Sequence, residues 1–166
     1  MKTLFLNRHA KSDWNHNDLS DFERPLNSRG LKDAPEMGER LANRDEEIDL
    51  IVSSPAVRAI TTARIIAGKI GYPEKNIHLE RSIYAAGVTD LLKIVNQIDN
   101  KYNSVLLFGH NPGFTDFADY LTGAGILNIP TCGICKIQFS IDHWNEVSAH
   151  TGEIEYFDFP KREQNL

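Results

Sequence analysis

The chain has 166 residues, 41% hydrophobic and 25% charged, proportions of an ordinary globular domain that exclude a disordered, collagen-like or disulfide-scaffolded chain. A chain of this size buries about 70% of the surface that it exposes when unfolded, enough for a core without metal or disulfide staples. With 18 Lys and Arg against 23 Asp and Glu the net charge is −5, so no overall positive field draws the protein to nucleic acid or to a membrane. Any anion site is local. The first apolar stretch, Leu4 to Leu6, is too short for a signal-peptide core or a membrane span, so a cytoplasmic location is expected.

Short apolar runs alternate with stretches of helical spacing, which predicts an α/β fold: a three-layer αβα sandwich whose central sheet is mostly parallel. Thr3 to Asn7 reads as the first strand, and Gly30 to Asn43 as a helix with Leu31, Ala34, Met37 and Leu41 on one face. Leu50 to Ser53 is the second strand. Ser54 then has the character of an N-cap and Pro55 of a first helical residue, opening a helix that carries Ile60, Ala63, Ile66, Ala67 and Ile70 up to the terminator Gly71. A short strand over Asn76 to Leu79 and a helix over Thr89 to Ile98 follow. Ser104 to Gly109 is a continuous apolar run, as in a strand buried on both faces. Asn111-Pro112 repeats the cap-plus-proline signal and opens a helix through about Leu121. An antiparallel portion closes the chain, with strands near Ile134 to Ile141 and Glu153 to Phe159. The expected organisation is one domain over 1–160 with a frayed tail over 161–166.

The segment from Ser12 to Arg29 breaks the pattern: it is polar and irregular, with Trp14 and Phe22 as isolated large side chains. Its length favours a functional lid over a surface loop pinned by Trp14, Phe22 and Leu26. Cys132 and Cys135 form a lone C-x-x-C followed by a strand-like alternation and joined by no second pair, which favours buried structural cysteines over a redox or zinc site. His16, His78, His143 and His150 lie at no metal-ligand spacing, so they read as surface or structural residues and no metal is called for.

In open α/β sheets, ligands bind beyond the carboxyl ends of parallel strands, where helix N-termini present free amide hydrogens. Three such junctions here deliver two arginines and two histidines: Arg8-His9 after the first strand, Arg58 in the first turn of the second helix, and His110 after the central strand. Taken singly, each is more often a cap or a solvated charge. Together they suit a phosphate, because guanidinium groups grip phosphoryl oxygens bidentately and imidazole is both a phosphorus nucleophile and a proton carrier near neutral pH. Arg58 also opposes the helix dipole, a conflict that an anionic ligand would relieve.

At these residues the chain resembles the histidine phosphatase superfamily (phosphoglycerate mutase-like), whose signature Arg-His-Gly ends the first strand. It is most similar to the small SixA-type phosphohistidine phosphatases, through Arg8-His9-Ala-Lys-Ser-Asp-Trp14, Asp21-Phe-x-Arg24-Pro-Leu-Asn27-x-Arg29-Gly30, Ser53-Ser-Pro-Ala-Val-Arg58 and Gly109-His110-Asn-Pro-Gly113. The resemblance covers nearly the whole chain and fits a small member without a lid subdomain. It implies that His9 is the nucleophile that becomes phosphorylated, that Arg8 and Arg58 bind the phosphoryl oxygens, and that His110 stabilises the transition state. Asn15 adds a hydrogen bond in this reading, and Lys11 and Ser12 join it as substrate-binding candidates. Neither metal nor cofactor is implied. The implied partner is a histidine-phosphorylated protein of a phosphorelay or phosphotransfer chain, or a small phosphorylated substrate, with inorganic phosphate as product. The oligomeric state is left open.

Two departures qualify the resemblance. Ala10 replaces the usual Gly, which matters only if the backbone there needs positive φ. The slot where ester-cleaving members carry a proton-donating carboxylate falls on Glu80-Arg81, with Arg81 in the slot itself. Without an acid, an alkoxide leaves poorly whereas a phosphoramidate nitrogen is readily protonated, which favours phosphohistidine. The alternatives are a small-molecule phosphomonoesterase or mutase using Glu80 or an acid of the Asp13 to Glu23 loop, a non-catalytic phosphoprotein-binding module, and a structural domain whose Arg and His only cap junctions.

Overall fold

A computed structural model describes residues 1–162; the remainder of the expected tail, residues 163–166, lies outside the described residues. Six strands, β1 (Lys2–Arg8), β2 (Leu50–Ser53), β3 (His78–Leu79), β4 (Ser104–Gly109), β5 (Ile134–Phe139) and β6 (Gly152–Asp158), form one sheet in the order β3-β2-β4-β1-β5-β6. The pairs among β3, β2, β4 and β1 are parallel, and β5 and β6 add antiparallel at the far edge. The α/β class, the mostly parallel sheet and its antiparallel C-terminal portion are as expected.

The sheet sorts its side chains by the two-residue period of a strand. Phe5, Ile51, Leu106, Phe108 and Ile134 face one layer, packing on Ala34, Met37 and Leu41 of α1 (Ser28–Asn43) and on Ile60, Ala63, Ile66 and Ala67 of α2 (Val57–Ile70). Leu4, Leu6, Val52, Val105, Leu107, Cys135, Ile137 and Phe139 face the other, against Leu91 and Val95 of α3 (Val88–Asn96) and Phe114, Phe117, Ala118 and Leu121 of α4 (Gly113–Thr122). Every residue of β4 from Val105 to Phe108 is buried, which is why its sequence shows no alternation. Among the described residues no helix is long and apolar enough to cross a membrane.

Several boundaries differ from expectation, for physical reasons. α2 begins at Val57, not at the predicted Pro55, because the Ser54 hydroxyl is engaged with His110 while also accepting from the Ala56 amide in a preceding turn. α4 likewise begins at Gly113, after Pro112. Asn111 still satisfies an orphan donor of that helix, accepting from the Thr115 amide at 3.1 Å. α1 starts two residues early because Asn27 caps it, accepting from the Gly30 amide at 2.9 Å. The third strand shrinks to His78–Leu79 behind a 3-10 turn at Glu74–Asn76. The remaining ends shift by one or two residues, as helix and strand ends do.

Gly30 shows how tightly α1 seats against the chain leaving β1: a Cβ there would lie 2.2 Å from the Lys11 carbonyl oxygen. In an open helix Gly→Ala stabilises by about 0.5–1 kcal/mol, but here the clash reverses the sign. Gly30→Ala is expected to destabilise by about 1–3 kcal/mol, read as a lower urea midpoint at unchanged m; a raised midpoint would show that the chain beyond His9 yields freely.

Candidate active site

The parallel register of β1 with β4 sets Arg8 opposite Gly109, and the His9 amide donates to the Gly109 carbonyl at 3.0 Å. Arg8, His9 and His110 therefore leave the sheet side by side at its carboxyl edge. On the other flank of β1 the Arg8 amide donates to Gly133 O and the Cys132 amide to His9 O at 2.9 Å, fixing the peptides around His9. Thr62 of α2 binds this exit to the second helix: it accepts from the Ala10 amide at 3.0 Å and donates to the Arg58 carbonyl at 2.7 Å. Arg58, one turn earlier on α2, is buried beside it.

The two imidazoles lie with ring centroids 5.2 Å apart and planes inclined by 53°. His9 Nδ1 is 2.7 Å from its neighbour's carbonyl oxygen, Ala10 O, a contact that requires the proton on Nδ1 and leaves the Nε2 lone pair free. His110 Nε2 is 2.8 Å from Ser54 Oγ, while its Nδ1 is buried without a partner. Arg8 Nε and Arg58 Nε are also buried without partners. Such unpaired buried polar atoms cost free energy unless a partner reaches them, and the two arginine N–H groups are donors that an anion can satisfy.

Burial pushes His9 down from the ordinary imidazole value of 6.5 to about 3, with His110, Arg58 and Arg8 acting in the same direction against the Ala10 hydrogen bond. Burial, then Arg58, lowers His110 to about 4. Both rings are neutral near pH 7. Arg8 is lowered by burial, and its Nη1 donates to Ile129 O at 3.0 Å.

The segment from Ser12 to Arg29, expected as a lid, is fastened across the site. An antiparallel bridge joins Ser12 to Leu26, and Asp13 N donates to Pro25 O at 2.8 Å. Its 3-10 turn at Asp21–Glu23 brings Asp21 to Arg58: Arg58 Nη2 donates to Asp21 Oδ2 at 3.0 Å and Nη1 to the Asp21 carbonyl at 2.6 Å. Tyr84 donates to the same Oδ2 at 2.6 Å, and its ring stands edge-on to His110 with centroids 5.5 Å apart. These donors hold the Asp21 carboxyl at about 2, the Tyr84 hydroxyl contributing most.

Of the predicted site residues, Arg8, His9, Arg58 and His110 converge. Ser12, Lys11 and Asn15 are not brought to them as free ligands. The Ser12 hydroxyl is buried and accepts from Arg24 at 2.6 Å, so it serves the loop. Lys11 points into an adjoining cavity of about 190 Å³ shared with Arg29, Pro130 and Thr131. Asn15 is exposed, and its amide nitrogen closes a turn on Asp13. Glu80 accepts from the Ser82 amide in its own 3-10 turn and lines a separate cavity with His78 and Ile94, away from the histidine pair. Ala10 does not have positive φ, so replacing Gly there strains nothing.

From the sequence, Ser54 reads only as a helix cap and Asp21 only within a motif and a loop of candidate acids, and Tyr84 and Thr62 are not singled out. Asp21 and Arg24 had a signal in their i,i+3 spacing before Pro25, which a turn can turn into an ion pair; Arg24 Nη2 does lie 3.0 Å from Asp21 Oδ1. Tyr84 had none, since only tertiary packing brings it to the site. Cys132 and Cys135 are both buried free thiols, pushed up by burial, on opposite faces of the sheet. Among the described residues, no group of three or more His, Cys, Asp or Glu side chains forms a cluster that could hold a metal ion.

Residues 4–82 match the family model described as histidine phosphatase superfamily (branch 1). An uncharacterized chloroplastic protein of Arabidopsis thaliana is 31% identical over 159 residues, spanning 91% of this chain and 72% of that one. A SixA structure from Agrobacterium tumefaciens superposes with a TM-score of 0.80 at 25% identity, covering 96% and 98% of the two chains. The protein histidine phosphatase SixA complexed with tungstate gives 0.81 at 19% identity, covering 95% and 97%. Over a shorter stretch of 72 residues, the phosphoglycerate mutase of Schizosaccharomyces pombe is 38% identical, spanning 42% of this chain and 34% of that one.

The depressed histidines make stability depend on acid. The unfolded chain protonates these rings near pH 6.5, the folded one only near 3 and 4, so the unfolded state binds more protons between those limits and stability falls as the pH is lowered through them. Asp21 adds a loss only below its ordinary 3.8. The urea midpoint should be level above pH 7 and drop between about pH 6 and 4, and the drop should be shallower in His9→Gln. Equal slopes in the two proteins would show that His9 is not the group responsible.

Proposed function

Because the chain belongs to the histidine phosphatase superfamily, branch 1, and is of SixA type in fold, we propose that it hydrolyses phosphohistidine, carried on a protein, through a phosphohistidine formed on its own His9. The observation that carries this reading is a neutral imidazole with a free Nε2 lone pair, set 5.2 Å from a second imidazole beside two arginines whose buried Nε atoms lack partners.

In this reading Arg8 and Arg58 bind the phosphoryl oxygens, and the substrate's phosphorus lies between the rings. His9 Nε2 attacks phosphorus while the substrate P–N bond breaks, and the departing imidazole takes a proton from water. If Ser54 donates to His110 Nε2, the Nδ1–H of His110 is left to donate to an equatorial oxygen as charge spreads over the transition state. Water then cleaves the His9 phosphoramidate, releasing inorganic phosphate and restoring the neutral ring. Positioning and charge supply the catalysis, with no step that calls for a metal.

The nature of the leaving group follows from the carboxylates. Asp21, the acid nearest the site, is held ionised at about 2 by Tyr84, Arg24 and Arg58, and Glu80 is turned into its own loop. Asp21 so held has no proton to give an alkoxide at neutral pH, and Glu80 does not face the histidine pair, whereas an imidazole leaving group needs no strong acid. A protein substrate accords with the exposed Trp14, stacked on Arg24 in the segment that caps Arg58, and a cytoplasmic setting accords with the two free cysteines. The phosphoglycerate mutase relationship keeps ester chemistry as the competing reading.

Phosphate release from a histidine-phosphorylated protein and from an alkyl phosphate ester, both with chelator present, discriminates these readings. The expected result is turnover of phosphohistidine exceeding that of the ester by about 10²-fold or more, the scale of one general-acid contribution. His9→Ala should abolish it by on the order of 10⁴-fold, and Arg58→Ala should lower it by about 10²–10³-fold. Efficient ester hydrolysis would mean that a carboxylate does donate, and full activity of His9→Ala would overturn the nucleophile.

A further inference from the structure

The guanidinium of Arg58 already holds an anion. Its Nη2 and Nη1 both donate to Asp21, one to the carboxylate at 3.0 Å and one to the main-chain carbonyl at 2.6 Å. The two partners differ in setting: the Arg58 side chain is 6% exposed and that of Asp21 49%, so a buried cation is capped by a carboxylate reaching in from a surface segment. That carboxylate is itself held from three elements. Oδ2 receives the Tyr84 hydroxyl from the loop before α3, Oδ1 receives Arg24 Nε and Nη2 at 3.1 and 3.0 Å from its own segment, and Arg24 is in turn anchored on Ser12. The Phe22 ring packs edge-on against Tyr84 at 5.2 Å, completing the cap. Such a fixed anion does more than close a loop. It leaves only the buried Nε of Arg58 without a partner and puts a negative charge within reach of whatever anion approaches the two histidines.

We propose that Asp21 is a built-in counter-anion: a positioning residue that orients Arg58 and competes with free inorganic phosphate for it, thereby hastening loss of the product. The inference rests on the reading of Arg58 as a phosphoryl ligand. A substrate phosphoryl group delivered on a larger molecule has further contacts with which to offset this competition, but free phosphate has none. Asp21 thus sets selectivity for substrate over product without taking part in proton transfer, for which its ionised state makes it unsuited.

Isothermal titration with inorganic phosphate tests this without any assumption about the natural substrate. Asp21→Asn and Asp21→Ser, two charge-free variants of a half-exposed position, should bind phosphate about tenfold more tightly than the native protein, a Coulomb effect between near charges reduced by solvent screening. Tyr84→Phe, which keeps the carboxylate, should stay within about twofold. In turnover of any phosphorylated substrate that the enzyme accepts, phosphate inhibition should strengthen by the same factor in the Asp21 variants while KM falls by less. Equal or weaker phosphate binding in both Asp21 variants, with native thermal midpoints, would overturn the proposal and leave Asp21 as a loop anchor. Phosphate binding strengthened as expected, with no turnover of phosphohistidine, would overturn the proposed substrate alone. No phosphate binding by any of these proteins would overturn the anion site and the proposal together.

Discussion

The parallel pairing of β1 with β4 is the constraint on which the rest of the structure depends. Its register runs from Thr3 opposite Ser104 to Arg8 opposite Gly109, with the His9 amide bonded to the next carbonyl along. Because side chains alternate across a strand, a slip of one residue would exchange the two core faces, driving Phe5 into the layer of Phe114 and Leu6 into that of Met37. The same slip would part His9 from His110. The apolar cores on both faces thus hold the register, and the register holds the two imidazoles 5.2 Å apart. Stability and site geometry are in this sense one property.

The site runs against stability in its electrostatics. Two arginines and two histidines share a buried edge, and three of their polar atoms have no partner. A domain optimised only for folding would place none of them there, since an unpaired buried donor costs on the order of 1–3 kcal/mol. The desolvation that carries this cost also keeps both imidazoles neutral, as a nucleophile requires. The fold offsets part of the strain locally: Thr62 ties the His9 exit to α2, Ser54 supports His110, and Asp21 balances Arg58 from outside the buried layer. Cys132, bonded through its amide to His9 O, and Lys11, two residues beyond His9, lie close by yet serve the core and a neighbouring cavity.

The elements most legible in the sequence were those with strong periodicity or a continuous apolar run. β4 and the apolar face of α2 are as read, as is the antiparallel pair β5 and β6 that closes the sheet, whereas on α1 the packed face is Ala34, Met37 and Leu41 and Leu31, expected on it, is exposed in the first turn. The misplaced helix starts share a cause. At Ser54 and Asn111 the capping residue also serves other partners: the Ser54 hydroxyl meets the His110 ring, and Asn111 accepts from the Thr115 amide while its side-chain nitrogen donates to Asn128 and Ile129, and each helix begins after its proline. Local signals were overridden where the chain serves the site, which is where such failures are expected. Ser12, placed at the site by resemblance, is drawn off by its hydrogen bond with Arg24 inside the 12–29 segment.

What the sequence determined by itself is the order of strands and helices and the delivery of Arg8, His9, Arg58 and His110 to three strand-to-helix junctions, because both follow from periodicity and from short-range chain geometry. Only the tertiary structure decided which titratable groups face one another. The Asp21–Arg58–Tyr84 cluster joins residues 37 and 63 positions apart. The neutral state of the two histidines likewise depends on burial that no local window contains. Charge and proton affinity are set by distance and solvent exclusion, and those quantities exist only once the layers have packed.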